Sequence, residues 1–208
     1  MKLNKSFLIV GIIVIVFVVV CCWFASARNG FVRLEEGLQG QWANVENQYQ
    51  RRLDLIPNLV ATVKGYAEHE SSTFENVTRA RAGLQDAYNT ATAQQGDFNE
   101  AAASEQSLNN YSNAQQELGK SLSIYVNAVK EAYPDLKADT QFLDLMTQLE
   151  GTENRIATER GRYTEAVKTY NVAVRSFPGS IVAGFFGFSP KPQFQAEAAA
   201  QSAPKVEF

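Results

Sequence analysis

The stretch that decides the fold runs from Phe142 to Phe177 and reads FLDLMTQLEGTENRIATERGRYTEAVKTYNVAVRSF. Phe142, Met146, Leu149, Glu153, Ile156, Arg160, Tyr163, Val167, Tyr170, Val174 and Phe177 alternate steps of four and three without a slip. On a helix of 3.6 residues per turn these positions make one stripe. A stripe of this period is the seam of long helices packed at small angles. Pro178-Gly179 then stops the helix, since proline offers no backbone N–H and glycine favours a terminus.

The same period extends toward the N-terminus. A third helix is predicted from about Phe98 to Ala132, through Leu108, Gln115, Leu118, Leu122, Tyr125 and Val129, ending at Tyr133-Pro134-Asp135. Further upstream, Leu38, Trp42, Val45, Tyr49, Arg52 and Ile56 form one stripe. Leu59, Val63, Tyr66, Glu70, Phe74 (or Thr73), Val77, Arg81 and Leu84 form another. Pro57 lies between the two and predicts a kink or a tight break, because it removes an N–H and disfavours helical geometry at Ile56. Gln95-Gly96-Asp97 reads as a loop ending in an N-cap. No strand pattern competes anywhere in the body. The predicted fold class is all-α: a single N-terminal transmembrane helix, then a long antiparallel three-to-four-helix bundle with an irregular C-terminal tail. The expected division is 1–28 as anchor, 29–178 as bundle and 179–208 as apolar strap and Pro/Ala-rich tail.

The anchor is the run FLIVGIIVIVFVVVCCWF from Phe7 to Phe24, which has no charged side chain. Continued to Ala27, a helix of this length spans about 31 Å, close to the hydrocarbon thickness of a bilayer. Trp23 and Phe24 stand where interfacial aromatics are found, with Arg28 just beyond. Ala25-Ser26-Ala27 fits a signal-peptide cleavage pattern, but the apolar run exceeds an ordinary h-region, so the segment is read as an uncleaved anchor. Lys2, Lys5 and the terminal amine face Arg28 and Arg33 across the run. This near tie under the positive-inside rule leans toward a body outside the cytoplasm.

Charge narrows the function classes. From Arg28 onward there are 17 basic and 22 acidic side chains, a net of −5. A mildly acidic body without a basic run argues against nucleic-acid binding and against wide contact with anionic lipid headgroups. Both cysteines, Cys21 and Cys22, lie in the apolar run, and His69 is the only histidine. Thiolate metal sites, Cys nucleophiles and His-based triads are therefore disfavoured. Neither a phosphate-cradling glycine loop nor a nucleophile elbow occurs, and no cofactor is expected.

The charged seam positions are the most informative polar feature. Arg52, Glu70, Arg81, Glu153 and Arg160 all fall where their helices should be apolar. A charge buried alone is costly, so the five are expected to pair as an Arg–carboxylate network that bridges helices and fixes register. Such a network favours a structural role over acid–base chemistry. In the last segment, Ser180 to Phe188 (SIVAGFFGF) is too short and too glycine-broken to span a bilayer. Phe185, Phe186, Phe188 and, at the terminus, Phe208 are the candidate assembly contacts.

These residues also resemble a known family. Trp42-x-x-Val45-x-x-Gln48-Tyr49-Gln50-Arg51-Arg52-x-Asp54-Leu55-Ile56-Pro57-Asn58-Leu59-Val60, running on into Thr62-Val63-Lys64-Gly65-Tyr66-Ala67-x-His69-Glu70, is similar to the hallmark segment of the LemA family. Ala80-Arg81-Ala82, Glu153-x-x-Ile156-x-x-x-Arg160-x-x-Tyr163, Tyr170-Asn171, Arg175-x-Phe177-Pro178, Phe186-Gly187-Phe188 and Pro204-Lys205-Val206-x-Phe208 continue the likeness in order. The sequence departs at Ala27-Arg28-Asn29-Gly30, where many members carry Cys-Gly-Tyr-Asn, so no lipid attachment is carried over. The resemblance implies a bacterial membrane protein with one N-terminal span, an antiparallel helical bundle and no established enzymatic activity. It also implies a short N-terminus outside the cell, opposite to the charge count.

The function expected from these readings is that of a membrane-anchored, non-enzymatic, homo-oligomeric scaffold or membrane organiser. An accessory adaptor or sensor that binds a membrane enzyme such as a protease is the alternative, and an apolar-ligand carrier a third.

Overall fold

The computed structural model describes residues 5–70, 74–96 and 98–195, with 5, 6, 69, 70 and 101 described by their backbone alone. Every regular element among these residues is helical. They are α1 (Lys5–Glu70), α2 (Glu75–Ala93), α3 (Phe98–Ala101), α4 (Glu105–Ala132), a 3-10 turn (Pro134–Ala138), α5 (Thr140–Arg175) and α6 (Gly179–Phe186). The chain divides into two compact units. One is the described part of Met1–Gly40 with Glu165–Lys191, and the other the described part of Gln41–Thr164 with Pro192–Phe208.

The second unit is an up-down-up-down bundle. Trp42 meets Tyr163 and Arg52 meets Glu153, so α1 and α5 run antiparallel. Trp42 also meets Tyr111, and Tyr66 meets Tyr133, so α1 and α4 run parallel. Phe74 on Tyr133 and Gln95 on Gln50 set α2 antiparallel to both. The seam residues fill the core: Ile56, Leu59, Val63, Leu84, Leu118, Leu122, Val129, Phe142 and Leu149 are all buried in one cluster, which Leu53, off the predicted stripe, joins. Burial of an apolar stripe from each helix supplies most of the stability of such a bundle.

Two predicted breaks come out differently. Helix α1 passes through Pro57, so that position does not end a helix. The Pro57 ring lies exposed, while Leu53, Ile56 and Leu59 around it are buried. Packing of that face outweighs the one intrahelical bond that proline removes. Conversely, the single third helix expected from Phe98 is two helices. Ser104 takes an extended conformation, and its hydroxyl accepts the Ser107 N–H at 3.0 Å, starting α4 afresh. A serine that can bond its own backbone competes with helix continuation. Asp139 similarly caps α5, its carboxylate accepting the Phe142 N–H at 2.8 Å.

The first unit contains the start of α1, the end of α5, α6 and the segment to Lys191. Every large apolar side chain from Phe7 to Val20 is exposed, whereas Phe31, Leu38, Tyr170, Val174, Val182 and Ala183 are buried. Among the described residues, α1 is the one helix long and apolar enough to cross a membrane. The seam of α5 stops short of its expected end: the helix closes at Arg175, and Phe177 is exposed. The apolar strap is itself a helix, α6, terminated by Gly187 at φ 78°, a left-handed conformation that glycine adopts without strain. The chain beyond α6 is fastened by Asn171, whose amide donates to the Lys191 carbonyl and accepts its N–H, both at 2.8 Å. Lys191 Nζ also pairs with Glu35 at 3.0 Å.

Candidate functional site

The polar centre of the bundle is Arg52. Its position on the α1 stripe is set by helical period alone, and only 2% of its surface meets solvent. Nη1 donates to Glu153 Oε1 on α5 at 2.7 Å. Nη2 donates to the backbone oxygen of Gln115 on α4 at 2.8 Å and to its Oε1 at 2.7 Å. The guanidinium also faces the Tyr49 ring at 5.3 Å. One cation thus holds three helices, through a charged bond, a neutral bond and a main-chain bond. The planar fork of arginine suits this arrangement in a way that a lysine ammonium does not. Gly119 makes room for it, since a Cβ there would stand 3.3 Å from Nη1. Gln115 is fully buried, but the Glu153 side chain keeps 44% of its surface in water. The pair therefore opens onto a cleft of about 350 Å³ that Gln116, Lys120 and Arg160 also line.

Arg160 lies one heptad along α5 from Glu153. Its Nη2 donates to Ser112 Oγ on α4 at 3.3 Å, and its Cζ stands 4.6 Å from the Phe194 ring. Beside it is an aromatic cluster. Trp42 packs on Tyr111 (5.2 Å) and Tyr163 (5.4 Å), Phe194 stacks on Trp42 at 6.0 Å, and Tyr49 meets Tyr111 at 5.6 Å. Desolvation raises the phenol pKa of Tyr111 and Tyr163 and of Tyr49, the last opposed by Arg160 and Arg52. These hydroxyls stay protonated at neutral pH and offer no base.

Of the five charged seam residues, the structure brings Arg52 and Glu153 into contact and sets Arg160 beside them. Arg160 reaches a hydroxyl and a ring rather than a carboxylate, and among the described residues it makes no ion pair. Arg81 stands apart. It is exposed on α2 and lines a separate cleft with Lys64, Glu68, Tyr125 and Tyr133, where its charge acts on Tyr125. The Glu70 side chain lies outside the described residues. The five therefore do not gather into one network. Helical period places a residue on a face but does not fix its height along the bundle, and that height separates Arg81 from Arg52. Gln115, Ser112 and Phe194 were not expected at this centre. Gln115 carried a signal, being a polar residue at a seam position, while Ser112 and Phe194 carried none. Among the described residues no group of three or more His, Cys, Asp or Glu side chains is placed to hold a metal ion.

The candidate assembly contacts are less uniform than expected. Phe188 packs edge-on against Phe31 at 5.4 Å, and the Phe186 ring lies 5.5 Å from Arg28 Cζ. Phe185 is exposed, and Phe208 lies outside the described residues.

With this geometry in view, comparison with known proteins is decisive at the family level. The LemA family model matches residues 41–208, beginning where the bundle unit begins. The chain belongs to the LemA family. It is also similar to magnetosome protein MamQ 2 of Paramagnetospirillum magneticum, 30% identical over 175 residues, which cover 80% of this chain and 64% of that protein. Magnetosome protein MamQ of Magnetospirillum gryphiswaldense is 29% identical over 168 residues, 77% of this chain and 61% of that protein. The chain thus spans a little under two thirds of the length of these relatives. As a LemA-family member it is a membrane-associated helical protein, with one candidate span in α1.

Proposed function

We propose that this LemA-family chain is a non-enzymatic scaffold or membrane organiser. In this reading it is anchored through residues 1–28 in a bacterial cytoplasmic membrane, carries its bundle on the extracytoplasmic side, and associates with copies of itself. The observation that carries this reading is the Arg52 centre. The buried cation is bonded to Glu153 and Gln115 of the same bundle, so among the described residues the polar chemistry of this centre serves to hold helices together. The association of the relatives with a magnetosome, known from their names alone, is compatible with a role on a membrane.

Self-association is supported by the outer surface of the bundle. Between α2 and α4 lies an open groove of about 510 Å³, lined by Ala80, Gly83, Ile124 and Ala128 and by the polar Asn76, Arg79, Ser121, Asn127 and Glu131. Small side chains bring backbones within reach of a neighbouring helix, and Ile124 is 61% exposed. Membrane anchoring raises local concentration, so contacts of modest strength suffice.

Blue-native sizing of the detergent-extracted full-length protein tests the proposal. A homomeric species well above the 23.0 kDa chain is expected. A monomer that co-purifies with a membrane enzyme would replace the scaffold by an adaptor.

A further inference from the structure

Helix α6 has an inner and an outer face. Val182 and Ala183 are buried, but Ile181 and Phe185, one turn apart on α6, are 55% and 77% exposed, and Phe177, two residues before the helix, is 82% exposed. Large apolar side chains turned to solvent in this number are costly for a soluble surface and usually mark a contact. What covers them follows from where the helix is tied down.

Both ends of α6 are fastened to the same turn of α1. A Cβ on Gly179 would stand 3.3 Å from the Phe31 ring, so the α6 backbone approaches that side chain closely. At the other end the Phe186 ring lies beside Arg28, and Phe188 returns to Phe31. Arg28 to Phe31 covers only about 4.5 Å of rise along α1, while eight residues of α6 extend about 12 Å. Helix α6 therefore runs across α1 rather than along it. The apolar run of α1 ends at Ala27, one residue before Arg28. If α1 crosses the bilayer, α6 lies close to the membrane plane at the depth where hydrocarbon gives way to headgroups.

We infer that α6 is a second membrane contact, an interfacial helix whose Ile181 and Phe185, together with Phe177 just before the helix, are inserted into the boundary of the bilayer. The chemistry suits that depth. Short apolar helices lying in the interface bury one face just below the headgroups. Arg28 stands beside Phe186, within reach of lipid phosphates, and Arg175 is exposed at the end of α5, which leads into α6. Interfacial cations of this kind favour anionic lipids. The contact fixes the tilt and rotation of the unit that α6 belongs to, beyond what a single span can impose. The inference rests on the apolar span and on contacts around α6, independently of the scaffold reading.

The test uses the full-length protein with Cys21→Ala and Cys22→Ala, carrying one nitroxide at I181C, at F185C or, as an aqueous reference at an exposed site outside the α2–α4 groove, at L143C. Each protein is reconstituted into phosphatidylcholine–phosphatidylglycerol vesicles. Collision with oxygen, which concentrates in the bilayer, is compared with collision with a water-soluble nickel complex by electron paramagnetic resonance. At 181 and 185 the oxygen-to-nickel ratio is expected to exceed that at 143 several-fold. A ratio at both positions equal to that at 143 would place these side chains in water and overturn the inference. Low collision with both reagents, with spin–spin broadening that disappears on dilution by unlabelled protein, would assign the side chains to a second copy of the chain and overturn it equally.

Discussion

At the scale of single residues, the bundle depends on an asymmetric ion pair. Arg52 is deeply buried, whereas Glu153 keeps part of its surface in water. Removing Glu153 leaves a cation in the core with only the two Gln115 oxygens to accept from it. Glu153→Ala should destabilise the bundle by about 3 kcal/mol, the lower end for a broken buried pair. Replacing both partners with apolar residues, Arg52→Met with Glu153→Leu, removes the stranded charge and should recover much of that loss. Urea unfolding in detergent, followed by circular dichroism, measures both variants. A double variant less stable than Glu153→Ala would show that the centre works through packing rather than charge. The buried tyrosines set a second, pH-dependent limit. Burial pushes Tyr125 and Tyr170 up to about 12 from an ordinary value of 10.0. A phenol whose pKa is raised in the folded state contributes stability that is complete below pH 10.0, because there both states are protonated alike. As pH rises toward about 12 the unfolded chain ionises first, so stability falls. Tyrosinate absorbance should therefore show these groups titrating above pH 10 together with loss of helix. Titration near 10 with the helix intact would mean that they are hydrated.

At the scale of elements, Pro57 shows where sequence and structure part. It sits inside α1 with its ring exposed, and Leu53 loses the partner its carbonyl would have had four residues on. Pro57→Ala restores that N–H without touching the buried face, and should stabilise the bundle by about 1 kcal/mol, one net hydrogen bond. Destabilisation in the same unfolding assay would mean that a bend at Pro57 is needed for the seam on either side. The legible part of this protein was the part governed by period. The stripes from Leu38 to Ile56 and from Leu108 to Val129 are buried almost residue for residue, because a long helix repeats one geometric rule. Interruptions were less legible, being contests between a local cost and distant packing. At Pro57 packing prevailed, whereas at Ser104 a single side-chain bond to the backbone was enough to restart a helix. Of the centre, Arg52 and Glu153 could be placed on facing seams from period. Their union with Gln115 required the relative height of α1, α4 and α5, which period does not contain, and Phe194 comes from a segment without period.

At the scale of the whole molecule, the proposed self-association raises the question of which outward surface would hold copies together. The tail was the sequence's candidate, yet Phe188 is engaged with Phe31, and the inference above assigns the exposed Ile181 and Phe185 of α6 to lipid. The α2–α4 groove is then the surface proposed for self-association. Gly83 in this groove has no atom within 4 Å of where a Cβ would be. A Cβ there meets no part of its own fold, and in a helix interior a side chain removes the roughly 1 kcal/mol penalty of glycine relative to alanine. Gly83→Leu should therefore keep or raise the stability of the bundle while filling the space a neighbouring helix would enter. Ile124→Glu acts on the same contact by placing a charge at its edge. Both variants are expected to lower the homomeric mass of the extracted protein by blue-native sizing, with membrane insertion and helix content unchanged. Phe185→Ser, which alters only the proposed lipid-facing side of α6, should leave that mass as it is. The opposite pattern, with mass lost in Phe185→Ser and kept in Gly83→Leu and Ile124→Glu, would return assembly to the tail and remove the groove from the mechanism.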